Sequence, residues 1–349
     1  MAEQPVRIGI VGAGNNTRVR HIPGFRAIPG VEIVSVCNRT RESGERVARE
    51  FGIPKVYEDW VELVHSPEID AVCIGTWPYM HCPVTLEALE AGKHVLTEAR
   101  MAMDAREARM MLEASRRAPL LVTQVVPSPF TLKVDRTIQD LLAGGFLGEL
   151  LALELRACTA NFVDRDSPLH WRQDRTVSGY NTLTLGIWYE AVMRWLGPAS
   201  KVMAMSKVVV KQRKDADGIL RAVEVPDHLD ILCEFASGAL GHMRFSAVTG
   251  LAPRNEVWLF GSEGTLKLDA ETLTLYGGRR GEKELREIPI PPERAGRWRV
   301  EEEFINAIRG KEKVKLTTFE DGVRYMEFTE AVIRSAQTGQ AIPLPLLSV

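Results

Sequence analysis

The sequence predicts a doubly wound parallel α/β domain followed by an α+β domain built on a large, mostly antiparallel sheet. Three observations carry this expectation. From residue 6 to about residue 125, short continuous Val/Ile/Leu runs alternate with helical patterns, and strands buried on both faces read as such runs. After Gly148 the strands lengthen and follow one another directly, alternating apolar with polar residues, the pattern of half-exposed antiparallel strands. The length of 349 residues is about twice a common domain size of about 150.

In chain order, the strands of the first domain are VRIGIV, VEIVSVC, AVCIGT, HVL and LLVTQV, with a helical segment after each of the first four. Right-handed crossovers then place helices on both faces of one sheet. Helix punctuation agrees. Glu42 to Phe51 is followed by Gly52 and Pro54, Thr85 to Ala91 by Gly92, and Leu132 to Ala143 by Gly144-Gly145, the glycines ending each helix. This sets a dinucleotide-binding domain over 1–125, a second domain over 126–349 and a linking helix over 129–144. In the second domain the strands are LLALELRAC, KVMAMSKVVV, HLDILCEF, ALGHMRFS, EVWLFG, TLKLDA and TLTLY, with turns at Ser237-Gly238 and Glu263-Gly264. A helix is expected from Gly179 to Leu196. Two terminal helices, Val300 to Ile308 and Phe319 to Gln337, are candidates to pack back on the first domain.

Composition narrows the partners. With 44 basic and 46 acidic residues the net charge is −2, so no global field draws the chain to nucleic acid or an anionic membrane. Cys37, Cys73, Cys82, Cys158 and Cys233 are scattered and odd in number, which argues against a disulfide framework or a zinc site and favours a reducing cytoplasm. No histidine and carboxylate spacing suggests a metal. The N-terminus lacks an export signal, and no apolar stretch reaches the length of about 18 residues that a membrane span needs. A small-molecule partner is expected.

The first chemical motif is Gly12-Ala13-Gly14-Asn15-Asn16-Thr17, directly between a strand and a helix. Gly12 permits the tight turn and Gly14 lets backbone approach a pyrophosphate. The following helix start, with Asn15 and Asn16, offers unpaired N–H groups and a positive dipole end. This is the dinucleotide-binding turn of a Rossmann domain, with Thr17 in place of the third small residue. The second strand ends Cys37-Asn38-Arg39-Thr40-Arg41. An acidic residue here would accept from the ribose 2′-OH of NAD. Neutral Asn38 beside Arg39 and Arg41 instead suits the 2′-phosphate of NADP, which places NADP ahead of NAD. The alternative is a solvated helix start.

The runs IGIVGAGNNTRVRHIPGF, SVCNR, AVCIGTWPYMH, LEALEAGKHVLTEA, FLGELLALEL and LFGSEGTLKL together resemble the Gfo/Idh/MocA oxidoreductases across most of the chain. The resemblance implies a two-domain NAD(P)-dependent enzyme acting on sugars, cyclitols and related compounds. It further implies that Gly12, Gly14, Asn15, Asn38, Arg39, Thr76, Trp77, His81, Glu98 and Gln124 approach the cofactor, and that a homodimer or homotetramer forms through the C-terminal sheet.

Two signatures depart from the family. Where it carries Glu-Lys-Pro, this chain reads Glu98-Ala99-Arg100, and alanine can neither move a proton nor donate to an alkoxide. Where it carries Asp-x-Gly-x-His-x-x-Asp, this chain reads Thr184-Leu185-Gly186-Ile187-Trp188-Tyr189-Glu190-Ala191. Replacement chemistry is sought in Arg100, His170, Arg172 and Tyr189 as catalytic candidates, and in Trp171, Tyr180, Asn181 and Trp188 as substrate contacts. For each the plainer alternative is loop packing or core. Three functions remain open at this point: an oxidoreductase with a non-standard site, a nucleotide-binding sensor or assembly subunit, and an enzyme that uses retained NAD for redox-neutral elimination or hydrolysis.

Overall fold

A computed structural model of the protein describes residues 5–253 and 255–347. The chain divides into two compact units.

The first unit comprises the chain up to Pro127 together with Arg299–Val323. Its sheet contains β1 (Val6–Val11), β2 (Val31–Cys37), β3 (Lys55–Tyr57), β4 (Ala71–Ile74), β5 (His94–Thr97) and β6 (Thr123–Val125), in the order β3-β2-β1-β4-β5-β6. All five pairings are parallel. Ile8, Ile10, Val36, Val72, Ile74, Val95 and Leu96 are fully buried along these strands, as a sheet covered on both faces requires. Strand β3 was not anticipated, because three residues without a buried side chain carry no apolar run.

The helices of this unit are α1 (Ile22–Arg26), α2 (Arg41–Phe51), α3 (Trp60–His65), α4 (His81–Glu90) and α5 (Ala105–Arg117). Their starts are fixed locally. Thr40 caps α2 by accepting from Ser43 N–H, and Gly52 ends it in the left-handed region at φ 56°. Asp59 and Asp104 cap α3 and α5 in the same manner, each satisfying an otherwise orphaned donor.

The second unit comprises Ser128–Trp298 and the chain from Arg324 onward. Val300–Ile308, here α9, falls within the first unit, where Phe304 meets Phe25 at 6.4 Å between ring centroids. The last helix, α10 (Phe319–Thr338), contains the third passage of the chain from one unit to the other. The linking helix is shorter than expected, α6 (Asp135–Ala143), with turns over residues 132–134 before it.

The second unit also holds α7 (Arg175–Ser178), α8 (Leu185–Leu196) and eleven strands: β7 (Leu150–Cys158), β8 (Ala199–Lys207), β9 (Gln212–Lys214), β10 (Leu220–Ala222), β11 (His228–Phe235), β12 (Leu240–Ser246), β13 (Glu256–Gly261), β14 (Gly264–Asp269), β15 (Thr274–Arg279), β16 (Arg286–Ile288) and β17 (Ile342–Pro343). Nine form one sheet in the order β16-β15-β14-β13-β7-β12-β11-β8-β17, while β9 and β10 pair as a separate hairpin. Only β7 and β12 run parallel among these pairs. Leu153, Leu155, Leu229, Ile231, Met243 and Phe245 fill the covered face, whereas Met203, Met205, Leu232 and Leu240 are exposed. The helix expected from Gly179 starts instead at Leu185, because Gly179 adopts φ 65° and ψ −137°, a conformation open in practice only to glycine. No described helix is long and apolar enough to cross a membrane.

Candidate active site

In the first unit the sheet order reverses between β1 and β4, and the carboxyl ends of strands beside such a switch point form the binding crevice of an open α/β sheet. The turn after β1 is built by close approach. Gly12 has φ 83°, and a Cβ there would lie 2.5 Å from Thr76 Cγ2 and 2.7 Å from Thr76 N. A Cβ on Gly75 would lie 2.3 Å from Gly12 O. Gly14 and Asn15 are exposed, and the helix running from Asn15 through the π turn Thr17–His21 into α1 starts directly behind them. Thr76 Oγ1 is buried and makes no hydrogen bond among the described residues. Exposed turn N–H groups, a helix start and an orphaned hydroxyl fit the pyrophosphate end of a dinucleotide.

Asn38 acts here as a strut. Its Oδ1 accepts from Ala13 N–H at 2.7 Å and its Nδ2 donates to Ser43 Oγ at 3.0 Å, tying the glycine turn to the start of α2. The Arg39 guanidinium lies 5.3 Å over the Trp77 ring. Arg41 donates to Glu45 at 2.8 Å and also to Glu58, so its charge already has counter-ions.

At the end of β5, Glu98 joins a buried cluster. Its Oε1 accepts from Asn16 Nδ2 and lies 2.9 Å from His21 Nε2, and its Oε2 accepts from Ala99 N–H at 3.2 Å. The other ring nitrogen of His21, Nδ1, lies 2.5 Å from Glu301 Oε1. Burial opposes charge on His21, but hydrogen bonds to Glu301 and Glu98 outweigh it and raise its pKa to about 9. Burial likewise opposes charge on Glu98, yet the His21 bond holds its carboxyl below the ordinary value. His21 and Glu301 were missed from the sequence. Their separation of 280 positions leaves no local signal.

Two cofactor candidates turn inward. His81 is buried, and its ring nitrogens reach the Thr76 and Arg100 carbonyls at 3.0 and 2.9 Å. Burial lowers its pKa while the bonds to those carbonyls oppose that shift, and the ring ties together the corners after β4 and β5. Gln124 is buried and donates through Nε2 to Glu303 Oε2 at 2.9 Å and to Leu316 O at 2.5 Å, which fastens β6 to α9. Arg100 is buried as well, in the same unit.

In the second unit, His170 caps the turn Trp171–Gln173. Its Nδ1 accepts from Arg172 N–H at 3.3 Å, and its own N–H donates to Gln173 Oε1 at 3.1 Å. An accepting Nδ1 assigns the proton of the neutral ring to Nε2. Partial burial and then the charge of Arg172 lower the His170 pKa. Arg172 stacks 4.2 Å over Trp171, and the Trp171 and His170 rings are 5.6 Å apart. The loop is pinned by Arg213, which donates to Ser167 O and Asp164 O at 2.7 Å each. Asp174 caps α7 through Thr176, and Arg175 lies 4.5 Å over Tyr180.

The α8 candidates belong to the core. Trp188 is 2% exposed and packs on Phe130 at 5.1 Å. Tyr189 is 1% exposed, stacks on Phe328 at 3.6 Å, and its hydroxyl accepts from Ala199 N–H at 2.8 Å. Burial raises its pKa further from neutrality. Asn181 is buried and donates to Ser178 O at 2.8 Å. The rings of Trp188 and Tyr189 thus lie within the packing of the second unit. No group of three His, Cys, Asp or Glu side chains suited to a metal occurs among the described residues.

Comparison with known proteins gives the following. Residues 6–125 match the oxidoreductase family GFO_IDH_MocA, described as an NAD-binding Rossmann fold, and residues 136–267 match the GFO/IDH/MocA C-terminal domain. The chain is 29% identical to 1,5-anhydro-D-fructose reductase of Ensifer adhaerens, over 96% of this chain and 97% of that protein. It is 23% identical to levoglucosan dehydrogenase of Pseudarthrobacter phenanthrenivorans, over 99% and 100% of the two chains. A solved levoglucosan dehydrogenase in complex with NADH superposes with a TM-score of 0.86 at 21% identity, covering 99% of this chain and 100% of that one.

Proposed function

Since the chain belongs to the GFO/IDH/MocA oxidoreductase family, we propose that it is an NAD(P)-dependent oxidoreductase acting on a hydroxyl or keto group of a sugar, cyclitol or related polyol, with a non-standard active site. The carrying observation is the glycine cradle, where a Cβ on Gly12 or Gly75 would fall 2.7 or 2.3 Å from backbone and one on Gly14 3.0 Å from Gly75 O, and which stands where a dinucleotide pyrophosphate binds. Relatives named for anhydrofructose and levoglucosan support the substrate class. When bound, the nicotinamide supplies the hydride chemistry, and the protein supplies position and electrostatics. Ala99 stands where the family's lysine would, and Trp188 and Tyr189 are committed to the core. The remaining proton-handling group is His170, through Nε2–H, with Arg172 beside it to hold a developing alkoxide. Trp171 offers a flat apolar surface for a sugar ring.

For the cofactor, Arg39 is the residue that would meet a 2′-phosphate, because Arg41 is engaged by Glu45 and Glu58. On this reading NADP(H) binds ahead of NAD(H). The exposed side chains Met203, Met205, Leu232 and Leu240 suit assembly of a homodimer or homotetramer through the sheet. Light scattering of the purified protein would read a mass above one chain; a monomer would remove this part. The activity test is a panel of sugars and keto-sugars with both nucleotides, read by nicotinamide absorbance. Turnover supports the reading. Tight nucleotide binding with no turnover on any of them favours the second reading, a nucleotide-binding sensor or assembly subunit, which the buried Trp188 at the family's histidine position supports.

A further inference from the structure

We infer that His21 is a positioning residue for the nucleotide: bonded to carboxylates through both ring nitrogens, it sets Glu98 against Asn16 and thereby holds the phosphate-binding turn. The inference rests on nucleotide binding at that turn. His21 has an exposure of 0%, and its two partners, Glu98 and Glu301, have side-chain exposures of 14% and 4%. An ionised carboxylate can only accept, while a neutral imidazole has one N–H. Two carboxylates at 2.9 and 2.5 Å are therefore both satisfied only when the ring carries two protons. Loss of one proton turns a ring lone pair toward a carboxylate oxygen inside a medium with no water to relieve the repulsion.

The consequence reaches the site through one atom. Glu98 Oε1, which faces His21 Nε2, also accepts from Asn16 Nδ2, and Asn16 closes the turn that begins at Gly12. Glu301 comes from α9, which lies against α1 because Gly24 has no side chain; a Cβ there would fall 2.7 Å from the Glu301 carboxylate. The titratable groups facing the cluster are Glu98 from β5, Glu301 from α9, Cys73 from β4 and His81 from α4. Burial and the two carboxylates push the Cys73 thiol well up, and burial lowers the pKa of His81. His21, near 9, is the member whose proton leaves first on the alkaline side.

The test is NADH and NADPH affinity from about pH 7 to about pH 10, with the folded fraction followed by circular dichroism. If the doubly protonated ring is the binding-competent form, the apparent Kd rises as the inverse of its population, about tenfold for one pH unit above the midpoint. His21→Asn, which keeps a donor and removes the titration, should bind more weakly at pH 7 and show no alkaline loss. Glu301→Gln, which leaves an acceptor in place, should move the midpoint below that of the unaltered protein. Nitrogen-15 shifts of the labelled histidine rings would report the same midpoint without any ligand. A purely structural role for His21 predicts weakening equal at every pH. A flat Kd profile in the unaltered protein, or a His21→Asn variant that keeps both the affinity and the alkaline loss, would overturn the inference. Failure to bind either nucleotide at any pH would overturn the nucleotide reading, and this inference with it.

Discussion

Tyr189 and Arg39 are both polar groups near signature positions, yet their surroundings give them opposite work. The Tyr189 hydroxyl accepts from Ala199 N–H while its ring lies on Phe328. Tyr189→Phe would leave that buried N–H unpaired, costing about 1–3 kcal/mol of stability. It should leave kcat unchanged, whereas loss of a general acid costs about 10²–10⁴-fold. Urea unfolding and steady-state kinetics on the same variant separate the two roles, and a large kcat loss in a fully folded variant would restore Tyr189 to the chemistry. Arg39, by contrast, sits over Trp77 and has no ion pair among the described residues. Arg39→Ala should weaken NADPH by about 1.5–3 kcal/mol, the value of a charge-assisted contact, and NADH much less. Equal losses for both nucleotides would remove the 2′-phosphate role. The glycine turn was legible because its residue types and spacing are themselves the mechanism. The role of Asn38 was only half legible: its position after β2 marked it, but its bond to Ala13 N–H depends on how two strand ends meet.

Among the elements, α8 is tied to its neighbours by a buried ion network. Its Glu190 accepts from Ser128 N–H at 2.8 Å, and its Arg194 donates to Glu190 at 2.5 Å, to Asp135 at 2.5 Å and to Ser128 O at 2.7 Å. Trp195 Nε1 adds a bond to Asp135 at 2.8 Å. Burial alone pushes the Asp135 carboxyl up despite Arg194, so the network holds together only as a whole. Arg194→Leu would leave two buried carboxylates without their cation and should cost about 3–5 kcal/mol, read as a fall in the urea midpoint at constant slope. A change within error of zero would show that water already serves these groups. Helix α8 itself was legible from its apolar pattern, but the bonds of Arg194 and Trp195 were not. Their shared partner Asp135 lies about 60 positions away, beyond any local pattern. Strand β3 was lost for a related reason: at a sheet edge, three residues bury too little to write an apolar run. For helix α9 the sequence marked only a candidate to pack back on the first domain, because its own residues do not say that Phe304 meets Phe25.

For the molecule as a whole, the buried titratable groups give stability a shape in pH that can be worked out segment by segment. His21 is raised from 6.5 to about 9. Its contribution is therefore full below pH 6.5 and is lost as pH rises through about 9, a change on the order of 3 kcal/mol at 1.36 kcal/mol per unit. Glu98 is lowered below its ordinary 4.5, so its contribution is present above that value and lost as pH falls through the lowered one. His81 and His94, both lowered from 6.5 by burial, also contribute above 6.5 and lose that on the acid side. Cys37, raised to about 11, and Cys82 and Cys233, raised to about 12, add a loss that begins only above their ordinary 9.0. Between 6.5 and 9 the decline thus belongs to His21, and above 9 the thiols join it. His21→Asn should lower Tm near pH 6, remove the slope between 6.5 and 9, and leave the fall above 9 in place. Thermal unfolding of both proteins across that range checks this, and an unaltered slope in the variant would assign the decline to other groups.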